Sequence, residues 1–193
     1  ARGDQTEIRP QFPSQGGGFQ GGTDHAIETG RPGQPGQAQH LFLRAGCDAV
    51  ELGTDSGSDP MLRSLGKSFT VDDVRRAPRL CRAAGAATAH YLLFGAPGET
   101  DATVDETVAL MDELAPDAVI VMVGIRIYAG TELHAAALRE GIVTPGQCLL
   151  DPVFYPAEPE LKRIAARVAG EAARRRSWIV PGLDVNTSSG VLE

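Results

Sequence analysis

Three short polar turns carry the residues best suited to chemistry in this sequence. The first is Glu51-Leu52-Gly53-Thr54-Asp55-Ser56-Gly57-Ser58. Hydroxyls beside a carboxylate suit a ribose or an amino-acid moiety, and the same residue types equally suit a capped turn. The second is Gly95-Ala96-Pro97-Gly98-Glu99-Thr100. Its glycines let the main chain approach a ligand, and Glu99 accepts hydrogen bonds. It is not a Walker-type phosphate loop, which needs a Lys before its Ser or Thr, because Gly98 is followed by Glu99. Exposed main chain at a strand end can instead hold an adenine by backbone hydrogen bonds. The third turn is Arg126-Ile127-Tyr128-Ala129-Gly130-Thr131. Arg126 reads equally as a contact for a carboxylate or phosphate and as a surface arginine.

Each turn follows an apolar run and precedes a helix signal. Ala49–Gly53, Thr88–Phe94 and Ala118–Ile127 read as strands. Repeated strand–turn–helix units predict an α/β fold with a parallel sheet, whose chemistry sits at the carboxyl ends of the strands. The aliphatic run Ala118–Ile127 points to burial on both faces. Thr70-Val71-Asp72-Asp73 resembles a capping box and opens a helix ending at Gly85, with a kink or a second start expected at Pro78. Thr100 or Asp101 caps the next helix, whose stripe is Val104, Val108, Met111 and Ala115 and which stops at Pro116. Asp101, Asp105 and Glu106 sit near its positive end. Thr131–Glu140 reads as a helix, and Leu161, Ile164, Ala165, Val168 and Ala172 mark another, with Arg174 to Arg176 at its negative end. The chain from Pro181 reads as loop, and Leu41–Ala45 as the close of a helix at Gly46.

With 193 residues and a net charge of −7, the chain suits one domain with a real core and argues against a nucleic-acid surface. No apolar run is long enough to span a bilayer. Cys47, Cys81 and Cys148 are odd in number and lack CxxC spacing, so they read as small packing residues in a reducing, cytoplasmic setting. His90 falls inside a strand and reads as a satisfied core residue, while His134 reads as solvated on a helix. No histidine pair has metal-ligand spacing. Residues 1–40 are rich in Gly, Gln and Pro and predict a disordered segment; 41–145 form the α/β part, and 146–193 a C-terminal helix and tail. Arg2-Gly3-Asp4 is a chance tripeptide without structural context.

Ala49 to Ser58, Lys67, Leu93 to Thr100 and Ile127 to Thr131, taken in order, resemble the second half of a radical S-adenosylmethionine (SAM) enzyme barrel. Pro152-Val153-Phe154-Tyr155 and Trp178 to Gly182 are similar to the tail of cobalamin-dependent members. The resemblance spans about Leu41 to Gly182 and implies the C-terminal part of a TIM-like (β/α) partial barrel. It implies S-adenosylmethionine as cofactor, a 4Fe–4S cluster held elsewhere on a CxxxCxxC loop, and a possible use of cobalamin. Carried over by position, Asp55 and Ser56 fall in the polar motif after the fourth strand, Leu93, Gly95 and Glu99 in the fifth-strand motif beside the adenine, and Ile127 and Tyr128 on the sixth-strand adenine side. Asp55 stands where the family usually has Glu, and Ala129 where it usually has Pro. The CxxxCxxC loop is absent, as is any cobalamin domain upstream. The expectation is therefore a truncated or frame-disrupted product, or one half of a split enzyme that works with a missing N-terminal half on an unidentified small molecule. It is expected to be inactive alone; the alternative is a non-catalytic remnant or an adenosyl-binding α/β module.

Overall fold

A computed structural model describes residues 46–182. The segment 1–40 and the helix expected at Leu41–Ala45 lie outside the described residues. The described chain has six strands and five helices. In order they are β1 (Ala49–Asp55), α1 (Asp59–Ser64), α2 (Val71–Ala83), β2 (Ala87–Phe94), α3 (Asp101–Leu114), β3 (Ala118–Val123), β4 (Ile125–Arg126), α4 (Glu132–Arg139), β5 (Phe154–Tyr155), α5 (Glu160–Ala172) and β6 (Trp178–Ile179).

The α/β class is as expected. Four strands form one sheet in the order β1-β2-β3-β6, all parallel, with Tyr91 opposite Ile120 and Ile120 opposite Ile179. Consecutive parallel strands need crossovers, and the helices between them supply these. Helices α1, α2, α3 and α5 pack on one face. Leu92, Phe94, Val119 and Val121 point into that layer and meet Val104, Val108, Met111, Ile164 and Val168. Residues one step along each strand turn to the other face, because side chains alternate. There Ala89, Tyr91, Leu93 and Ile120 are half-buried and Met122 is exposed. Among the described residues, therefore, β3 is not buried on both faces as expected: helices cover one face of the sheet, and the other is half-exposed.

The run Ala118–Ile127 is not one strand. Gly124, at φ +84°, swings the chain out of the sheet after Val123, and Ile125–Arg126 pair antiparallel with Phe154–Tyr155 instead. Pro78 does not break its helix. It lies buried within a continuous α2, against the expectation of a kink or restart. The capping box at its start is present, with Thr70 N donating to Asp73 Oδ2 at 3.0 Å. These bonds hold the Asp73 carboxyl below the usual carboxylate range.

The acidic residues of α3 do more than face the helix dipole. Asp101, Asp105 and Asp112 pair with Arg163, Arg167 and Arg175, on or just beyond α5. Glu171, buried, is shared by Arg167 and Arg175, and the Arg175 guanidinium lies 5.4 Å over the Trp178 ring. This ladder fixes α5 against α3, and α5 in turn delivers β6 to the edge of β3.

Candidate functional site

Because β1, β2 and β3 are parallel neighbours, the turns after them emerge side by side at one edge of the sheet. The turns after β1 and β2 thus share one rim, and the third turn, which follows β4, meets it across the cleft lined by Pro97 and Thr131. Hydrogen bonds brace the surroundings: Ser64 Oγ, at the end of α1, donates to the Pro97 carbonyl at 2.6 Å, and Gly124 N donates to the Phe94 carbonyl at 2.8 Å. Beside the rim, Leu65, Pro97, Ile125 and Leu133 line a cleft of about 440 Å³ with Glu132 and Arg139 at its border.

In the first turn Asp55 takes the left-handed conformation, φ +58°, and is buried. Its carboxylate pairs with the Lys67 ammonium. Ser56 points into the fold: its hydroxyl meets Thr107 Oγ1 at 3.1 Å and accepts from Ser58 N at 3.2 Å. Gly57 N donates to the same Thr107 oxygen at 2.9 Å. A Cβ on Gly57 would lie 2.7 Å from the Thr107 Cα, so the turn rests directly on α3. Thr107 escaped the sequence reading, although a threonine inside the stripe Val104, Val108, Met111 is the signal of a polar anchor. Helix α1 escaped it too, despite the helix-start pattern Ser58-Asp59-Pro60.

In the second turn Glu99 folds back on its own loop. Oε2 accepts from Gly95 N at 3.0 Å and Oε1 from the Thr103 hydroxyl at 2.7 Å. Burial pushes the Glu99 carboxyl up, and these bonds oppose it. Gly95, at φ +100°, is closed in: a Cβ there would stand 2.9 Å from Pro156 Cδ. Gly98, at φ +89°, faces open space. Leu93 lies on the open face of the sheet beside Met122.

In the third turn the Ile127 side chain is fully buried in a small second core with Ala137, Val143 and Tyr155, and its N–H donates to the Val153 carbonyl at 2.8 Å. Tyr128 is exposed, with its ring 5.0 Å from the Arg126 guanidinium carbon. The Tyr128 carbonyl accepts from the Thr131 hydroxyl at 2.7 Å, and Thr131 Oγ1 accepts from His134 N, capping α4. His134 is not simply solvated: it is half-buried, and its Nδ1 accepts from Gly130 N at 3.3 Å.

Of the sequence-predicted site residues, Asp55, Gly95 and Glu99 lie in the neighbouring turns after β1 and β2, while Ile127 and Tyr128 follow β4. Leu93 stands just below Gly95 on the open face. Ser56 faces α3, and the Ile127 side chain faces the second core. His90 is only half satisfied: Nδ1 lies 2.7 Å from the Thr54 hydroxyl, while the buried Nε2 has no partner. Burial lowers its pKa to about 4, keeping it neutral. The thiols are dispersed. Cys47 donates to the Ala49 carbonyl at the amino end of β1, Cys81 is buried in α2, and Cys148 is exposed before β5. Among the described residues no group of three or more His, Cys, Asp or Glu is placed to hold a metal ion. No helix among them is long and apolar enough to cross a membrane.

No protein-family model matches the chain. A stretch of 52 residues is 38% identical to an uncharacterized protein of Methanopyrus kandleri, covering 27% of this chain and 10% of that protein. The structure is similar to the archaeal Elp3 of Methanocaldococcus infernus with an N-terminal deletion, with a TM-score of 0.55 and 20% identity over 72% of this chain and 30% of that one. It is also similar to the radical S-adenosylmethionine methyltransferase TsrM of Kitasatospora setae. The structure with cobalamin and a 4Fe–4S cluster bound gives a TM-score of 0.49 and 28% identity over 63% of this chain and 25% of that one. The structure with tryptophan and a SAM analogue bound gives 0.48 and 30% over 53% and 20%. The chain therefore spans a tenth of the curated relative and under a third of each solved structure. The Elp3 match shows a shared fold.

Proposed function

We propose that residues 46–182 form the adenosyl-holding half of a radical SAM-type barrel, belonging to an enzyme whose cluster loop and substrate determinants lie outside the described residues. One observation carries the reading. The polar turns after β1 and β2 sit side by side at the carboxyl edge of a parallel sheet, and the third, after β4, meets the second across one cleft through Thr131 and Pro97, in the order in which the motifs resemble that family. The fold shared with Elp3 supports the architecture.

The residues present fit an adenosyl group in part. Leu93 offers a half-buried apolar surface on the open face, and Gly98 leaves main chain accessible at the rim. Tyr128 and the main chain after Ile127 complete the edge. Asp55 and Glu99 act at one remove, since each carboxylate is already engaged in shaping its turn. Bound there, SAM would supply an activated sulfonium carbon as the reacting group. A 4Fe–4S cluster does not fit the described residues: it needs thiolates brought together, and Cys47 before β1, Cys81 in α2 and Cys148 in the loop before β5 form no such group. That dispersion favours a second reading, a non-catalytic adenosyl-binding module. Cobalamin use is a proposal resting on the resemblance of the tail alone, and a reducing cytoplasmic setting accords with three free thiols.

Titration calorimetry with SAM tests the reading. Without the grip of a cluster, affinity is expected in the high micromolar to millimolar range, about 4–6 kcal/mol. Leu93→Asp, a change at a half-exposed position, should weaken it at least tenfold. A folded chain that binds no SAM, or that binds it equally with Leu93→Asp, would refute the site. Anaerobic reconstitution separates the two readings. A stoichiometric cluster lost on Cys-to-Ser replacement would favour the enzyme reading for this chain by itself; no cluster with SAM binding intact favours the module or the split enzyme.

A further inference from the structure

Arginines in this fold that leave the solvent are matched with carboxylates, with a single exception among the described residues. Arg75, Arg126, Arg167 and Arg175 are half-buried. Arg75 holds Asp72 and Glu113, Arg167 holds Asp105 and Glu171, and Arg175 holds Asp112 and Glu171. Arg126 holds none. Its Nη2 donates to the Leu150 carbonyl at 3.2 Å, and its Nε is buried without a partner. Arg126 thus carries a positive charge with no carboxylate partner among the described residues and a buried Nε without an acceptor, a placement that suits an anion the described chain does not supply.

The surroundings of Arg126 define the rest of that anion. Arg126 lies opposite Phe154 in the β4–β5 ribbon, so the two side chains share a face. The Tyr128 ring stacks 5.0 Å from the guanidinium carbon. Leu150 is 85% exposed, Tyr128 56% and Phe154 43%. These are three of the four exposed large apolar or aromatic side chains among the described residues, and all three adjoin one arginine. Guanidinium donors suit a planar carboxylate, and flanking rings suit a flat apolar body.

We infer that Arg126, Tyr128 and Phe154 form a binding site for an aromatic carboxylate, with the carboxylate on the guanidinium and the ring system between Tyr128 and Phe154. The site lies on the ribbon that leaves the sheet at Gly124; it shares Tyr128 with the adenosyl reading but rests on Arg126 and Phe154, which that reading does not use.

Naphthalene-2-carboxylate is the probe, with naphthalene-2-carboxamide as its neutral isostere and inorganic phosphate as a bare anion. Binding is read by calorimetry on the full chain. The carboxylate should bind at least tenfold more tightly than the carboxamide. Arg126→Gln should remove that difference, and Tyr128→Leu should weaken both aromatic ligands several-fold. Nitrogen-15 NMR of the wild type gives a readout that survives a poorly folding variant: the Arg126 Nε–H resonance should shift with carboxylate concentration and stay still with carboxamide. Equal binding of acid and amide, or a still Nε–H resonance, overturns the inference. So does phosphate binding as tightly as naphthalene-2-carboxylate, because it would make the site one for simple anions.

Discussion

Gly95 is the position where packing and ligand binding make opposite claims, and substitution separates them. Its φ of +100° is strained for any residue with a Cβ, at about 1–3 kcal/mol. An added Cβ would also stand 2.9 Å from Pro156 Cδ, 3.4 Å from Gly124 N and 3.5 Å from the Tyr155 carbonyl oxygen. The first contact is with a ring held between main-chain segments, and overpacking of that kind costs about 1–3 kcal/mol more. Gly95→Ala should therefore lose roughly 2–6 kcal/mol in urea unfolding, a large share of the ~5–15 kcal/mol stability of an ordinary domain. Gly98 supplies the control. Its φ is +89°, but a Cβ there meets nothing within 4 Å, so Gly98→Ala should show the backbone strain alone, about 1–3 kcal/mol. The difference between the two variants isolates the contact with Pro156. Equal losses would refute the packing argument and return Gly95 to the role of an open approach for a ligand. If the argument holds, loss of ligand on substituting Gly95 reports a damaged fold, and Gly98 is the glycine with which to probe the rim.

His90 predicts a pH dependence. Its folded pKa of about 4 lies below the ordinary 6.5, so the unfolded chain binds the extra proton between those values. The contribution is complete above about pH 6.5 and is lost as pH falls toward 4, up to ~3 kcal/mol. Glu99 works the other way, since its raised pKa gives stability that is present below 4.5 and fades as pH rises. The slope difference between wild type and His90→Leu, measured by urea unfolding across pH 4 to 7, isolates the histidine; parallel slopes would contradict its burial as a neutral ring. Thr107→Val removes the acceptor for the buried Gly57 N–H and should cost about 1–3 kcal/mol, with faster hydrogen exchange at Gly57. Arg175→Ala should destabilise by about 1–3 kcal/mol, because Glu171 is buried and loses one of its partners, whereas Asp101→Ala, at an exposed pair, should leave the urea midpoint unchanged.

What the sequence made legible follows from how local each signal is. The strands at Ala49, Thr88 and Ala118, the capping box at Thr70 and the helix start at Thr100 depend on residues within a turn or two, and all appear in the fold. The open second face was hidden, because an aliphatic run such as Ala118 to Val123 reads the same whether its outer side chains meet helices or solvent. The end of β3 was hidden by a single glycine, whose positive φ is invisible among otherwise apolar residues. β5 and β6 are two residues each and owe their existence to partners far along the chain, Arg126 and Val119 among them. The site was legible as a set of turns but not as a set of contacts. Asp55, Ser56 and Glu99 have the residue types of ligand-binding groups, yet their partners are Lys67, Thr107 and the main chain of Gly95.

Those internal partners give the rim its mechanical character. Ser56 and Gly57 are tied to α3 through Thr107, Gly95 is tied to the start of α3 through Glu99 and Thr103, Pro97 is tied to Ser64 at the end of α1, and Gly124 is tied to Phe94. The first two turns are thus referenced to the same helix, and moving the first would leave the buried Gly57 N–H and Ser56 hydroxyl without their Thr107 partner. A rim wired in this way presents its exposed groups in one arrangement before any ligand arrives, which lowers the ordering cost of binding. It follows that the groups free to recognise a ligand are the ones the wiring leaves out: the Leu93 side chain on the open face, the main chain at Gly98, and the Arg126–Tyr128 pair on the ribbon. The carboxylates that the residue types single out hold the frame in which those groups stand.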